Sequence, residues 1–357
     1  MDLALLDERL AAEGEPRFRS RQVWEWAARG ADSYDEMTNL PLELRRRLAD
    51  SVPFSSLRVE RTALARDGTE KALFETADGR PLEAVLMRYR DGRRSLCLSS
   101  QSGCPLTCTF CATGRMKFGR NLTTSEILDQ ALHFRRSEAR SSRTGRLRRD
   151  QSPVNHAVFM GMGEPLMNLD NVLAACERLP EIGIAHSNIG ISTVGWIPGI
   201  ERMATEGPPV RLALSLHAPE EALRSELMPV NDRYPLREVL DACLRWHERR
   251  RRQLFIEYLM LDGVNDRYEQ AAQLAGLLEP RHAFKVNLIP MNPIGPARTD
   301  PRHPARHPTD AAYRGSGRAA IAAFQDALVE RGVRTTVRLT RGRDIDAACG
   351  QLAARTA

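Results

Sequence analysis

The residues best suited to chemistry are three cysteines on one short segment, residues 103–111. Cys104, Cys108 and Cys111 are spaced CxxxCxxC directly after a predicted strand. Three thiolates on one loop can converge on a metal centre, and an iron–sulfur cube that takes three of its usual four thiolates keeps one iron open to another ligand. A zinc site with a fourth ligand from elsewhere and unrelated buried cysteines are the alternatives. The spacing favours the cluster, because the remaining cysteines do not complete a zinc pattern: Cys97, Cys176, Cys243 and Cys349.

A glycine-rich turn follows the next predicted strand. Gly161 and Gly163 would let a ligand approach the backbone closely, and Glu164 offers an acceptor to an amino group. Alone, such a segment is more often only a turn. Its position one strand after the cysteine loop favours a binding role.

Length and composition limit the class of protein. A chain of 357 residues predicts about two domains and excludes a small disulfide-stapled scaffold. Residues 1–10 show no secretory pattern and no apolar run is long enough to cross a bilayer, so we expect a cytoplasmic protein without a membrane partner. Seven cysteines in that compartment predict thiols or metal ligands, not a disulfide framework.

The charge balance is basic. Lys and Arg number 52 against 46 Asp and Glu, a net charge of +6 that would attract polyanions such as nucleic acid. Only Lys71, Lys117 and Lys285 are lysines, so a GC-rich coding genome is the simpler explanation of the arginine excess. Two inserts, Arg135–Arg149 and Pro296–Pro308, predict exposed loops, with contact to an RNA backbone as the alternative for the arginine cluster.

Hydrophobic periodicity divides the chain into a helical N-terminal segment (1–55), a β-hairpin extension (56–95) and a strand–helix region (96–350). Asp-Gly pairs at 67–68, 78–79 and 91–92 predict the hairpin turns. Six parallel strands followed by a further one predict an α/β fold, a partial (β/α)6 barrel with its site at the C-terminal strand ends; an open doubly wound sheet is the alternative. The seven predicted strands lie near Leu96–Ser100, His156–Gly161, Asn188–Val194, Val210–His217, Leu254–Leu261, Phe284–Ile289 and Thr335–Leu339.

The cysteine loop resembles that of the radical S-adenosylmethionine (SAM) enzymes, in which an aromatic residue precedes the last cysteine, as Phe110 does here. The resemblance implies a radical-SAM barrel and a [4Fe–4S] cluster held by the three cysteines. It also implies that the open iron chelates SAM, which is cleaved to a 5′-deoxyadenosyl radical. The turn at residues 161–165 is similar to the motif that holds the SAM amino group in these enzymes.

Further motifs resemble the RlmN/Cfr family of radical SAM RNA adenine methyltransferases over nearly the whole chain. They are Leu96–Gln101, Asn121-Leu122, Leu214–Pro219, Val286–Pro290 with Asn292-Pro293, and Arg341–Leu352. The departures from the family pattern lie mainly in the two inserts. The resemblance implies an RNA-binding role for the N-terminal helices.

The resemblance assigns roles to three residues outside the cysteine loop. An electron-poor adenine ring carbon does not attack SAM directly, so Cys349 would carry the methyl group first. Cys97 would release the resulting enzyme–RNA adduct by forming a disulfide with Cys349. Glu83 would take the ring proton, although a glutamate on such a strand would by default face solvent. Cys176 and Cys243 lie on helical patterns and are predicted to be core residues.

SAM contacts carry over to residues at predicted strand ends, and two SAM molecules would be used per turnover. These residues are Gly163, Glu164, Ser192, Ser215, Leu216, His217 and Asn292.

The function that the resemblance implies is methylation of C2 of an adenine in 23S rRNA, with tRNA as a candidate second substrate and a flavodoxin-type reductant as electron donor. Three alternatives stay open on the sequence. They are C8 methylation by the same family, a radical SAM enzyme acting on a protein or small molecule, and a zinc-bearing RNA-binding protein without catalysis.

Overall fold

The structure is a computed structural model that describes residues 1–143, 154–292, 294 and 313–353. Three helices open the chain: α1 (Leu3–Ala12), α2 (Phe18–Arg29) and α3 (Leu42–Ser51). Asp2 caps α1 because its carboxylate accepts from the backbone N–H groups of Ala4 and Leu5. The apolar faces of these helices join the same buried cluster as the strands that follow.

Four antiparallel strands continue the chain: β1 (Leu57–Leu64), β2 (Glu70–Thr76), β3 (Pro81–Arg88) and β4 (Arg94–Cys97). The three Asp-Gly pairs lie in the turns between them, as the sequence predicted, and Gly68, Gly79 and Gly92 all have positive φ. This φ region is open to glycine without steric cost. The hairpin extension is therefore part of the main sheet.

A two-stranded sheet of β5 (Gln101–Ser102) and β6 (Arg120–Asn121) brackets the cysteine loop. The main sheet then continues through β7 (His156–Phe159), β8 (Ile189–Thr193), β9 (Arg211–Ser215), β10 (Leu254–Met260), β11 (Phe284–Pro290) and β12 (Thr335–Val337). All of these strands pair in parallel, beginning with β4 against β7.

The strand order decides between the two predicted architectures. The sheet runs β1-β2-β3-β4-β7-β8-β9-β10-β11-β12, so parallel strands follow one another in chain order. A doubly wound sheet would reverse direction at a switch point. The order confirms the partial barrel of six parallel strands, with β12 as the further strand.

Helices fill the connections: α4 (Thr124–Arg143), α5 (Leu169–Ile182), α6 (Ile197–Thr205), α7 (Glu221–Leu227), α8 (Leu236–Arg250), α9 (Tyr268–Leu277) and α10 (Arg318–Glu330). Cys176 and Cys243 are fully buried on α5 and α8, which confirms the core prediction. No helix in the described part of the chain is long and apolar enough to cross a membrane.

The prediction of an exposed loop over Arg135–Arg149 is wrong for its first nine residues, which continue α4 to Arg143. Arg136 is buried with its guanidinium 5.7 Å from the ring centroid of Phe54, and Arg135 Nε donates to the carbonyl of Ala28 at 3.2 Å. Arginine is a good helix former, and its stem packs on apolar neighbours. Residues 144–149 and Pro296–Pro308 lie outside the described residues.

Candidate active site

The cysteine loop lies at one end of a cavity at the C-terminal ends of the parallel strands. Cys104, Cys108 and Cys111 all line this cavity. Gly103 begins the loop with a φ of +72°, and a Cβ there would lie 2.4 Å from the carbonyl oxygen of Lys117. The close approach requires glycine. The backbone N–H of Thr109 donates to the carbonyl of Leu227 at 3.0 Å and ties the loop to the barrel.

The cysteines fit an iron–sulfur cube better than a single metal ion. Burial raises the pKa of Cys104 to about 12, and burial together with the neighbouring Cys111 and Cys104 thiols raises the pKa of Cys108. Such thiols ionise only beside a cationic centre. In the ranges described above, no three His, Cys, Asp or Glu side chains are close enough to share one metal ion. A cube takes one thiolate on each iron, so three cysteines on one loop suit three of its four irons.

Gly163 and Glu164 also line the cavity, beside Cys104. Gly163 has a φ of +98°, and a Cβ there would lie 2.5 Å from the Cβ of Gln101. The Glu164 carboxylate is buried and accepts from the backbone N–H groups of Leu166 and Val194, both at 3.0 Å. Burial raises its pKa to about 7, against the lowering effect of these hydrogen bonds. Glu164 can therefore change charge near neutral pH.

Three polar residues at neighbouring strand ends also line the cavity: Ser192 on β8, Ser215 on β9 and His217 just after β9. The two serine hydroxyls lie 3.3 Å apart. His217 adopts a φ of +61°, and its Nδ1 accepts from the backbone N–H of Leu259 at 3.0 Å. Burial lowers the pKa of His217 to about 3, so the ring is neutral with its proton on Nε2.

Two of the expected SAM contacts, Asn292 and Leu216, are placed differently with respect to the cavity. Asn292 lines the cavity, and its Oδ1 accepts from Arg343 Nε at 3.0 Å. Leu216 is fully buried and does not line the cavity. Its backbone instead bonds to Glu257 and Arg224. Leu216 therefore stays a predicted cofactor contact, and only its backbone is polar.

Cys349 lies where two cavities meet. It lines the cavity of the cysteine loop and also a smaller neighbouring one that contains Cys97. Gly350, the next residue, accepts from the backbone N–H of Ala112 at 2.8 Å, which docks the Cys349 segment on the cysteine loop. Burial, with a smaller contribution from Cys349, raises the pKa of Cys97 to about 12.

All seven cysteines are free thiols. The protein therefore contains no standing disulfide bond between Cys97 and Cys349, which corrects the expectation of a disulfide bond as a feature of this chain. Cys97 is buried and Cys349 is half-buried, and both line the smaller cavity as separate thiols.

Glu83 is buried on β3, not exposed as a glutamate on such a strand would be by default. Its Oε1 lies 2.9 Å from Lys71 Nζ, and its Oε2 accepts from the backbone N–H of Ala353 at 2.9 Å. Glu83 lines neither cavity, but it is bonded to the segment that carries Cys349.

Two arginines in or beside the site were not found from the sequence. Arg338 lines both cavities, and its Nη1 lies 3.0 Å from the Met160 sulfur and 3.6 Å from the Glu257 carboxylate. Arg224 is fully buried and donates to the carbonyls of Leu216 and Val194. In the sequence, each of them appears only as an arginine inside an otherwise apolar or alternating run. Such a position does not stand out in an arginine-rich chain.

Family models match two parts of the chain. Residues 98–275 match the radical SAM superfamily, and residues 1–53 match a ribosomal RNA large subunit methyltransferase N-terminal domain. A probable dual-specificity RNA methyltransferase RlmN of Heliobacterium modesticaldum is 45% identical over 95% of this chain and 84% of its own length. The chain belongs to the RlmN/Cfr family of radical SAM proteins.

Other members of the RlmN/Cfr family agree over a similar span. A probable dual-specificity RNA methyltransferase RlmN of Thermus thermophilus is 41% identical over 98% of this chain and 92% of its own length. The crystal structure of a radical SAM methyltransferase from Sphaerobacter thermophilus superposes with a TM-score of 0.86 at 41% identity, covering 99% of this chain and 98% of the other. Radical SAM proteins use SAM and a [4Fe–4S] cluster, and this chain supplies three cysteines on one loop for the cluster.

Proposed function

We propose that this protein methylates C2 of an adenine in 23S rRNA, and of an adenine in tRNA, with Cys349 as the methyl carrier. The observation that carries the proposal is the position of Cys349, which lines both the cavity of the cysteine loop and the cavity that contains Cys97. The relatives are named dual-specificity RNA methyltransferases, which supports RNA of two kinds as the substrate. We assign RNA binding to residues 1–55 and treat 56–95 and 96–350 as the extension and the catalytic barrel.

The residues of the first cavity would hold the two groups that the reaction needs. Cys104, Cys108 and Cys111 would bind the cluster, and Glu164 with the strand-end serines and His217 would bind SAM. When bound, the cluster and SAM would supply an activated methyl group and a hydrogen-abstracting radical. Forming the radical would need one electron from an external reductant, and the RNA adduct would give one electron back when C2 loses its proton. A flavodoxin-type protein is the class of reductant that fits this need.

Cys349 performs the steps that link the methyl group to RNA. Its thiolate takes a methyl group and becomes S-methylcysteine, because thiolate sulfur is a strong nucleophile and adenine C2 is not. Loss of one hydrogen atom from that methyl leaves a carbon radical that adds to C2. The RNA is then tethered to Cys349 through a methylene bridge.

Release requires a base and a second thiol. Glu83 takes the C2 proton, the step for which a positioned carboxylate is suited. The Cys97 thiolate then attacks the Cys349 sulfur and forms a disulfide bond with it as the sulfur–methylene bond breaks, and the methylene carbon takes a proton to become the product methyl group. A cellular dithiol would then reduce this disulfide to restore both thiols. The guanidinium of Arg338 lines the cavity that holds both sulfurs and favours the thiolate form of Cys97.

The proposal is tested with protein reconstituted without oxygen, reduced, and incubated with SAM and transcripts of 23S rRNA or tRNA. Mass spectrometry of the nucleosides should show 2-methyladenosine from both RNAs. Cys349→Ala should give none, whereas Cys176→Ala, which removes a thiol from the core on α5, should retain the activity. A product methylated at C8, or none from the intact protein, would overturn the proposal.

A colourless protein that contains zinc but neither iron nor sulfide would instead support the non-catalytic RNA-binding alternative. Iron and sulfide analysis of the same preparation makes this distinction.

A further inference from the structure

Lys71 lies on β2 beside the carboxylate that the proposed reaction uses as its base. In the β2–β3 ladder, Lys71 is opposite Val85 and Leu73 is opposite Glu83. Lys71 and Glu83 are therefore diagonal neighbours on one face of the sheet, a spacing that long side chains can bridge. Both side chains are largely buried, with 12% of Lys71 and 4% of Glu83 exposed.

The Lys71 ammonium joins two parts of the protein that are far apart in sequence. Its Nζ lies 2.9 Å from Glu83 Oε1 and donates to the carbonyl oxygen of Asp346 at 3.1 Å. Asp346 stands three residues before Cys349 on the same segment. One side chain therefore sets the separation between the carboxylate and the segment that carries the methyl group.

The same segment reaches Glu83 from the other side. The backbone N–H of Ala353 donates to Glu83 Oε2 at 2.9 Å. Residues 346 to 353 thus contact the Lys71–Glu83 pair at both ends, with Cys349 between the two contacts. Movement of the ammonium would change where Glu83 lies relative to an adenine tethered to Cys349.

The residue type fits this role. Lysine provides a compact cation with three donors on a flexible stem, whereas the chain uses arginine for almost all of its other cations. A buried ion pair by itself contributes little net stability, so stability alone is a weak reason for this one.

We propose that Lys71 is a positioning residue that holds Glu83 against the Cys349 segment so that the carboxylate meets the C2 proton of the RNA adduct. The inference rests on the proposed function. A base must be within hydrogen-bond reach of the proton that it takes, and a displacement of about 1 Å can cost about 100-fold in rate.

The test compares Lys71→Met with the intact protein in single-turnover reactions. Methylation of Cys349, read from the mass of the protein, should be unchanged because it precedes the step that needs Glu83. Methylated RNA should fall about 10- to 100-fold while a covalent protein–RNA adduct accumulates on denaturing gels. Lys71→Arg should recover product at least in part, because it keeps a cation of similar reach. If Lys71→Met does not fold, Lys71→Gln carries the same expectation.

Asp344→Ala is the matched control. Asp344 accepts from the backbone N–H of Arg66 at 3.0 Å, so this variant also breaks a contact between the hairpin extension and the C-terminal segment but leaves Glu83 untouched. It should release product without adduct accumulation.

The Lys71 proposal would be overturned if Lys71→Met formed product normally, or if it lost Cys349 methylation as strongly as it lost product. It would also be overturned if Asp344→Ala accumulated as much adduct as Lys71→Met. If the intact protein itself forms no methyladenosine, the proposed function fails and the role of Lys71 falls with it.

Discussion

Cys349 takes part in each step that links the methyl group to RNA, and it lines two cavities. These cavities correspond to two halves of the proposed reaction. The cavity of the cysteine loop suits methyl transfer and hydrogen abstraction, and the cavity of Cys97 suits release. Burial raises the pKa of Cys97 to about 12, although Arg338 opposes this rise, so Cys97 is protonated at neutral pH before the adduct forms. A thiol that stays protonated does not attack early.

Cys97→Ala should separate these halves. Cys349 should still be methylated and RNA should still be captured, but the methylene bridge should persist because no thiol attacks the Cys349 sulfur. Protein–RNA adduct on a denaturing gel, with little free methylated RNA, is the expected result. Free product at the rate of the intact protein would contradict the role of Cys97.

Glu164, the proposed acceptor for the SAM amino group, should make SAM binding sensitive to pH. Burial raises its pKa to about 7, so the ionised fraction falls as the pH falls through 7. An ionised carboxylate accepts more strongly from an amino group than a protonated one does. The SAM dissociation constant of the reconstituted protein should therefore rise between pH 8 and pH 6.

Glu164→Gln should bind SAM more weakly at pH 8 and should lose most of this pH dependence. Equilibrium dialysis across the pH range measures both. A dissociation constant of the intact protein that does not change with pH would contradict the assignment.

At the scale of elements, the ends of β8 and β9 are held by one buried guanidinium. Arg224 donates to the carbonyls of Val194 and Leu216 and to Asn231 Oδ1. Burial lowers its pKa to about 10, which still leaves it charged at neutral pH. The strand ends that it ties carry Ser192, Ser215 and His217, so Arg224 supports the SAM side of the cavity without lining it.

Arg224→Met should lower the free energy of unfolding by about 3 kcal/mol, because it leaves buried carbonyls without donors. It should also weaken SAM binding, since the ends of β8 and β9 lose the hydrogen bonds that hold them together. Arg224→Lys should restore little, because an ammonium cannot reproduce the arginine fork.

Arg202→Met is the control for Arg224. Arg202 is exposed and pairs with Asp170 and Glu206, so its replacement should leave both stability and SAM binding nearly unchanged. Urea unfolding and SAM binding measure the two effects. Equal effects of Arg224→Met and Arg202→Met would contradict the role of Arg224.

Local patterns predicted most elements because each depends on residues near in sequence. The Asp-Gly turns and the apolar runs of the strands follow from such patterns. The end of α4 did not follow, because the burial of Arg136 depends on contact with Phe54, more than 80 residues earlier. An arginine-rich segment looks exposed until its partner is known.

At the scale of the whole molecule, the site joins segments from both ends of the chain. The cysteine spacing is a local pattern that predicts a metal-binding loop. The burial of Glu83, in contrast, depends on Lys71 and on Ala353, 270 residues away. No local pattern encodes such a contact. The hairpin extension thus positions the C-terminal segment, in addition to extending the sheet.

The central claim is that the methyl group passes through Cys349 before it reaches RNA. The most direct test uses SAM whose methyl group carries three deuterium atoms, with the reduced protein, an RNA substrate and ordinary water. One deuterium is lost to the radical and one hydrogen returns from solvent at release. The 2-methyladenosine product should therefore carry two deuterium atoms, and a methyl group that retains all three would contradict the account.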